Sequence, residues 1–171
     1  RILSISQDIK TRLIKYNVYS CYVLLNLVDY SLFKPIPLEK RGRKVFVYNG
    51  IVKKDDNNEI YNQSIINNIV TKCKDKEFIF SNELNLEYEK MPIIYKQCYI
   101  GLRLTSHDGN ANMVQEMQAM NIPVVHNNSD YGLKWNNIND VIKYIYSYDI
   151  VPDLLSCTRK RILLNTHSNL N

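Results

Sequence analysis

At 171 residues the chain is long enough for one complete hydrophobic core and too short for two domains of ordinary size. Apolar residues make up 45% and charged residues 23%, near the averages of folded proteins, which excludes disorder over the whole length. The net charge of +5 suits anionic ligands, yet Lys and Arg are interspersed with acidic residues, and no nucleic-acid-binding fingerprint accompanies them.

In chain order, residues 2–6 read as a strand and 7–16 as a helix with Ile9, Leu13 and Ile14 near helical spacing. Residues 21–28 form a continuous apolar run, the pattern of a buried parallel strand. The stretch 29–43 breaks the rhythm with Pro35, Pro37, Gly42 and a basic run from Lys40 to Lys44 that reads as solvated, and the stretch as a whole reads as a linker between two α/β units. A second unit opens with a strand at 44–48, closed by Asn49 and Gly50, and runs through a polar loop to a helix at 63–72. There follow a strand at 77–81, a helix at 89–97 with Pro92 in its first turn, and a strand at 99–105. A helix at 111–120, a strand at 123–126 and a helix at 139–146 complete the unit, and 154–164 reads as a closing helix with a basic face.

Strands alternating with helices through short loops predict an α/β fold: a Rossmann-like parallel sheet with helices on both faces. The expected division is an attachment at 1–30, a linker at 31–43, the main domain at 44–150 and a tail at 151–171. In such sheets ligands bind beyond the carboxyl ends of the strands, which singles out the loops after Tyr48, Ser81, Thr105 and His126.

The segment 99–125, YIGLRLTSHDGNANMVQEMQAMNIPVV, is the richest in chemistry. Its strand ends in a polar turn before a helix whose N-terminal N–H groups and dipole suit an anion, with Gly109 and Ala111 leaving room beside the backbone. Asp108 precedes that helix and Glu116 lies eight positions on, roughly 12 Å away along a fully helical path. Met113, Met117 and Met120 share one helix face, the signature of a core stripe, and Glu116 stands beside them. A carboxylate so placed requires a partner, either a protein Lys or Arg or the hydroxyls of a ligand ribose.

This segment resembles the retaining, GT-B-fold glycosyltransferases, whose pattern E-G-F-G-x-x-x-x-E-A-M-A-x-G-x-P-V-V carries two acidic residues separated by seven. The match here runs from Asp108-Gly109-Asn110-Ala111 through Glu116-Met117 to Pro123-Val124-Val125, preceded by Gly101-Leu102-Arg103-Leu104-Thr105. The stretch from Leu25 to Asp29 with Leu32 to Pro35 is similar to the hinge between the halves of those enzymes, and 45–50 to the first strand of their donor domain. The resemblance implies a donor-binding half acting on a nucleoside-diphosphate sugar such as a UDP-sugar, metal-independent and without a cofactor, in glycan biosynthesis, with an unidentified acceptor. By the same resemblance Glu116 holds the ribose, Asp108 contacts the donor sugar, and the loop at 82–85 frames the base. Asn49, Gly50, Lys53, Asn82, Arg103, Gly109, Asn110, Ala111 and Asn112 are the implied donor-binding set, with Lys53 or Lys54 and Arg103 in place of the usual diphosphate-binding cations. Asp108 stands where the family has Glu, and Ala111 where it has Gly. The acceptor half is represented here only by residues 1–30, and an acceptor domain in a longer chain is the expected partner. A non-catalytic binding module of the same fold and a nucleotide-sugar epimerase remain as alternatives.

Other residues read more plainly. His107, His126 and His167 match no metal-ligand spacing, and Asp55-Asp56 is a solvated turn, so no metal site is expected. Dinucleotide, P-loop and nucleophile-elbow fingerprints are absent. Tyr131, Lys134 and Trp135 are candidates for contact with donor or acceptor from the loop after the 123–126 strand. Cys21, Cys73, Cys98 and Cys157 are widely spaced and read as free thiols. With no signal-peptide pattern at 1–10 and no apolar run near ~20 residues, the expected location is cytoplasmic.

Overall fold

The computed structural model describes residues 2–4, 7–19, 21–23, 27–50, 60–106, 108, 111–127 and 132–149. Lys53, Lys54, Asp55, Asp56, His107, Gly109, Asn110, Tyr131, Cys157, His167 and the helix read at 154–164 lie outside them. Among the described residues no helix is long and apolar enough to cross a membrane.

The described residues form two sheets. The first is a parallel pair, β1 (Ile2–Ser4) and β2 (Cys21–Val23), joined through helix α1 (Gln7–Ile14). The second has four strands, β3 (Lys44–Val47), β4 (Glu77–Phe80), β5 (Cys98–Leu102) and β6 (Val124–Val125), in the spatial order β4-β3-β5-β6 and parallel throughout. Its helices are α2 (Gln63–Lys72), α3 (Met91–Tyr95), α4 (Asn112–Ala119) and α5 (Ile138–Tyr148).

Both faces of this sheet are covered, as the alternation of elements predicts. Phe46, Cys98 and Val124 meet Tyr95 of α3 and Met113, Val114 and Met117 of α4 on one face. Val45, Val47, Ile100, Leu102 and Val125 meet Ile66 and Ile69 of α2 and Val141 and Ile145 of α5 on the other. A register shift in β5 opposite Lys44 and Val45 inserts Tyr99 as an extra residue, so Tyr99 and Ile100 both serve the second face. Beyond the shift Gly101 returns to the first face, where an added Cβ would sit 2.6 Å from Met117 Sδ. The glycine is what lets α4 lie this close to β5. Met113, Met117 and Met120 are all buried, the core stripe their spacing predicts.

Helix α4 ends in a left-handed residue, Asn121 (φ 62°), where the resembling pattern has Gly. Ile122 N donates to Met117 O at 2.8 Å and Asn121 N to Gln118 O at 2.8 Å, a double closure of the last turn that Asn tolerates and branched residues do not.

Part of the segment read as a linker packs on the domain. Phe33 is fully buried and Ile36 is 8% exposed, both within the core on the α3 and α4 face. Ile36 N donates to Met120 O at 3.1 Å, and Gly42 N to Lys96 O at 2.8 Å. Prolines and charges dominate the local composition, but two apolar side chains are enough to lay the segment on the domain. Several element ends also differ: the helix read at 89–97 divides into a 3-10 turn, Tyr88–Lys90, and α3, with Pro92 in the first turn of α3.

Candidate functional site

From β3 the chain passes to β4 on one side and later to β5 on the other, so the order of connection reverses between β3 and β5. A crevice opens at such a point beyond the carboxyl ends of the strands. Here it is a cavity of about 530 Å³. Tyr48 and Gly50 enter it from the end of β3, and Arg103 from the end of β5. Leu84, Leu86 and Tyr88 wall it from the segment after β4, and Ala111, Asn112 and Glu116 from α4.

Glu116 is 3% exposed, because its place beside the methionine stripe turns it toward α3 and the sheet. Its partners are neither Lys nor Arg: Tyr88 donates its hydroxyl to Oε1 at 3.0 Å and Tyr95 donates to Oε2 at 3.0 Å. Burial raises the Glu116 carboxyl above its ordinary value, and the two phenol bonds and nearby Arg103 pull it back in part. The phenols respond in kind. Burial and the adjacent carboxylate push Tyr88 up to about 12 and Tyr95 well above the ordinary range, so both remain protonated donors.

Arg103 and Asp108 form a pair through Arg103 Nε and Asp108 Oδ2, and Thr105 Oγ1 donates to the same oxygen at 3.2 Å. The guanidinium lies over the Tyr48 ring, 4.0 Å from its centroid. Burial is the largest single influence on the Arg103 pKa and lowers it, but the bond and charge of Asp108 together with Tyr48 outweigh it, and the net shift is upward. Helix α4 starts at Asn112, and Ala111 at its N-cap offers no side-chain cap. The path from Asp108 to Glu116 is therefore only partly helical.

The residues singled out by the resemblance divide. Gly50 (φ 109°), Arg103, Ala111, Asn112 and Glu116 line the cavity, and Asp108 joins through Arg103. Asn49 and Asn82 line an adjoining groove with Gln63 and Asn67. Asn49 Oδ1 accepts from Asn82 N at 3.2 Å and from Ser81 Oγ at 3.3 Å, and Asn49 N donates to Ser81 Oγ at 3.0 Å. These bonds brace the loops after β3 and β4 against each other.

His126 is fully buried at the end of β6. Its Nδ1 lies 3.1 Å from Arg103 O and donates to it, leaving Nε2 a buried acceptor without a partner among the described residues. Burial lowers its pKa and keeps the ring neutral. Lys134 and Trp135 do not line the cavity: Lys134 Nζ donates to Asn127 O at 2.7 Å and Trp135 N to Asn127 Oδ1 at 2.9 Å, folding the loop after β6 onto itself. Among the described residues no cluster of His, Cys, Asp and Glu is arranged to hold a metal ion, and Cys73 and Cys98 are buried free thiols.

Sequence reading missed Tyr48, Tyr88 and Tyr95. The seven-residue spacing of Tyr88 and Tyr95, two helical turns, was a signal that both look the same way, but nothing local named Glu116 as their target.

No family model matches the chain, and no curated protein matches it in sequence. Among solved structures it is similar to sucrose-phosphate synthase from Thermosynechococcus elongatus, with a TM-score of 0.57 and 11% identity, over 85% of this chain and 48% of that one. The chain thus spans about half the length of that protein. At this identity the likeness is one of architecture, and the chain has a glycosyltransferase-like, Rossmann-type α/β fold.

Proposed function

We propose that the cavity binds a nucleoside-diphosphate sugar and that the chain is the donor-binding part of a retaining, metal-independent glycosyltransferase of GT-B type. The observation that carries this reading is the buried Glu116 carboxylate facing the crevice at the strand-order reversal, in the company of Arg103. Its oxygens accept from hydroxyl groups, Tyr88 on Oε1 and Tyr95 on Oε2, the kind of donor that a ribose diol supplies. Arg103 shares Nε with Asp108 and carries further N–H donors for a phosphate. The diphosphate would lie between Arg103 and the start of α4, where fixed positive charge stabilises it as it departs. Asp108, beside Arg103, is then the group for the donor sugar. Acceptor binding falls to an N-terminal acceptor half, to which residues 1–30 attach.

A second reading, a non-catalytic binding module, is favoured by one feature: Asp108 and Glu116 both find partners within the protein. Calorimetric titration with uridine and guanosine diphosphates separates the readings. Wild type is expected to bind one of them, and Glu116→Gln to bind it about ten- to a hundredfold more weakly through loss of charge-assisted bonds. Equal affinities remove Glu116 from the site, and binding without sugar transfer or donor hydrolysis, measured with the sugar nucleotides, favours the module.

A further inference from the structure

The two phenols on Glu116 differ in standing. Tyr95 is 2% exposed, lies within α3 and packs edge-on to Phe46 at 5.1 Å and tilted against Phe33 at 6.0 Å. Withdrawing it would open a void in the core and strand Oε2 without a donor. Tyr88 is 46% exposed, belongs to the short 3-10 turn before α3, and meets the core ring of Phe33 edge-on at 5.5 Å. It also lines the cavity, so its hydroxyl reaches Oε1 from the side on which a ligand would arrive. Swinging it outward exchanges one hydrogen bond for water and disturbs little packing.

We propose that Tyr88 is a placeholder: its hydroxyl occupies the Oε1 position that a ribose hydroxyl takes, and ligand binding displaces it, while Tyr95 stays and aims the carboxylate. This rests on the nucleoside-diphosphate reading of the cavity. Tyr95 is then a positioning residue, and Tyr88 a competitor whose bond the ligand must break. The two tyrosines are therefore opposite in effect, although each makes one bond of the same length to the same side chain. Removing the Tyr88 hydroxyl relieves the competition. Removing that of Tyr95 leaves a buried carboxylate oxygen short of a donor and free to turn.

The test is calorimetric titration of wild type, Tyr88→Phe, Tyr95→Phe and Glu116→Gln with uridine and guanosine diphosphates and their 2′,3′-dideoxy analogues, with thermal unfolding run alongside. Phenylalanine keeps both rings and their packing. Tyr88→Phe is expected to bind the ribonucleotide about three- to tenfold more tightly, and Tyr95→Phe about tenfold more weakly, the scale of one hydrogen bond to a charged group. With the dideoxy analogue, which has no hydroxyl to exchange, the gain from Tyr88→Phe should disappear. If wild type binds and Glu116→Gln weakens it, but Tyr88→Phe binds equally or more weakly, the placeholder role is overturned and the site reading stands. A gain that persists with the dideoxy analogue overturns it as well. If wild type and Tyr88→Phe bind neither nucleotide, the site reading falls and the exchange falls with it.

Discussion

Replacing Glu116 with Gln should leave the fold at least as stable at neutral pH, although the residue is buried and doubly hydrogen-bonded. The sign follows from the raised carboxyl pKa. Between the ordinary value of 4.5 and the higher folded value, the native chain holds a proton that the unfolded chain has lost. Stability therefore falls as pH rises through that window, by about 1.4 kcal/mol for each tenfold drop in proton concentration, and above it the whole penalty of a buried charge stands. Gln offers a carbonyl to one phenol and an amide N–H to the oxygen of the other, so both contacts can persist in neutral form. Each weakens by about 1 kcal/mol relative to its charged version, against about 2–3 kcal/mol of desolvation avoided. The expected net change lies between zero and about 1 kcal/mol of stabilisation, at most ~4 °C in melting temperature for a chain of this size. Thermal unfolding of both proteins from acid to mildly alkaline pH measures it: wild type should fall relative to the variant as pH rises from below 4.5. Destabilisation of the variant by more than about 2 kcal/mol at neutral pH would refute the reasoning, because the carboxylate would then be a net support of the fold.

Phe33→Ala should cost about 3–5 kcal/mol in denaturant unfolding, the range for a buried aromatic, whereas a position on a solvated tether would change stability by less than ~0.5 kcal/mol. Gly42→Ala should damage the fold more than Gly101→Ala. The Cβ added at 42 falls 2.0 Å from the backbone oxygen of Gln97, while that at 101 meets the ends of Met117 and Met113, which can turn aside. Melting temperatures of the two variants in one buffer check the order.

Much of the architecture was legible because it is written in neighbouring residues. The helix at 63–72 is found at the bounds its pattern indicates, as α2, and the alternation of apolar runs with amphipathic stretches requires strands buried on both sides. The methionine stripe identified the inner face of α4, and the need of Glu116 for a partner follows from its place beside that stripe.

Which partner was another matter. Tyr88 and Tyr95 lie 28 and 21 positions before Glu116 and reach it only because α3 and α4 cover the same face of the sheet. Phe33 escaped notice for the same reason: its neighbours are prolines and charges, and the core it enters is built by residues from Phe46 to Val124. The resemblance put Asn49 and Asn82 among the donor contacts, and it is the crossing of two loops that brings each within reach of the other. Local periodicity settles which face of an element is apolar, since adjacent residues carry that information. The pairing of polar groups depends on strand order and on helices brought together across the sheet, and for this chain only the folded structure decided it.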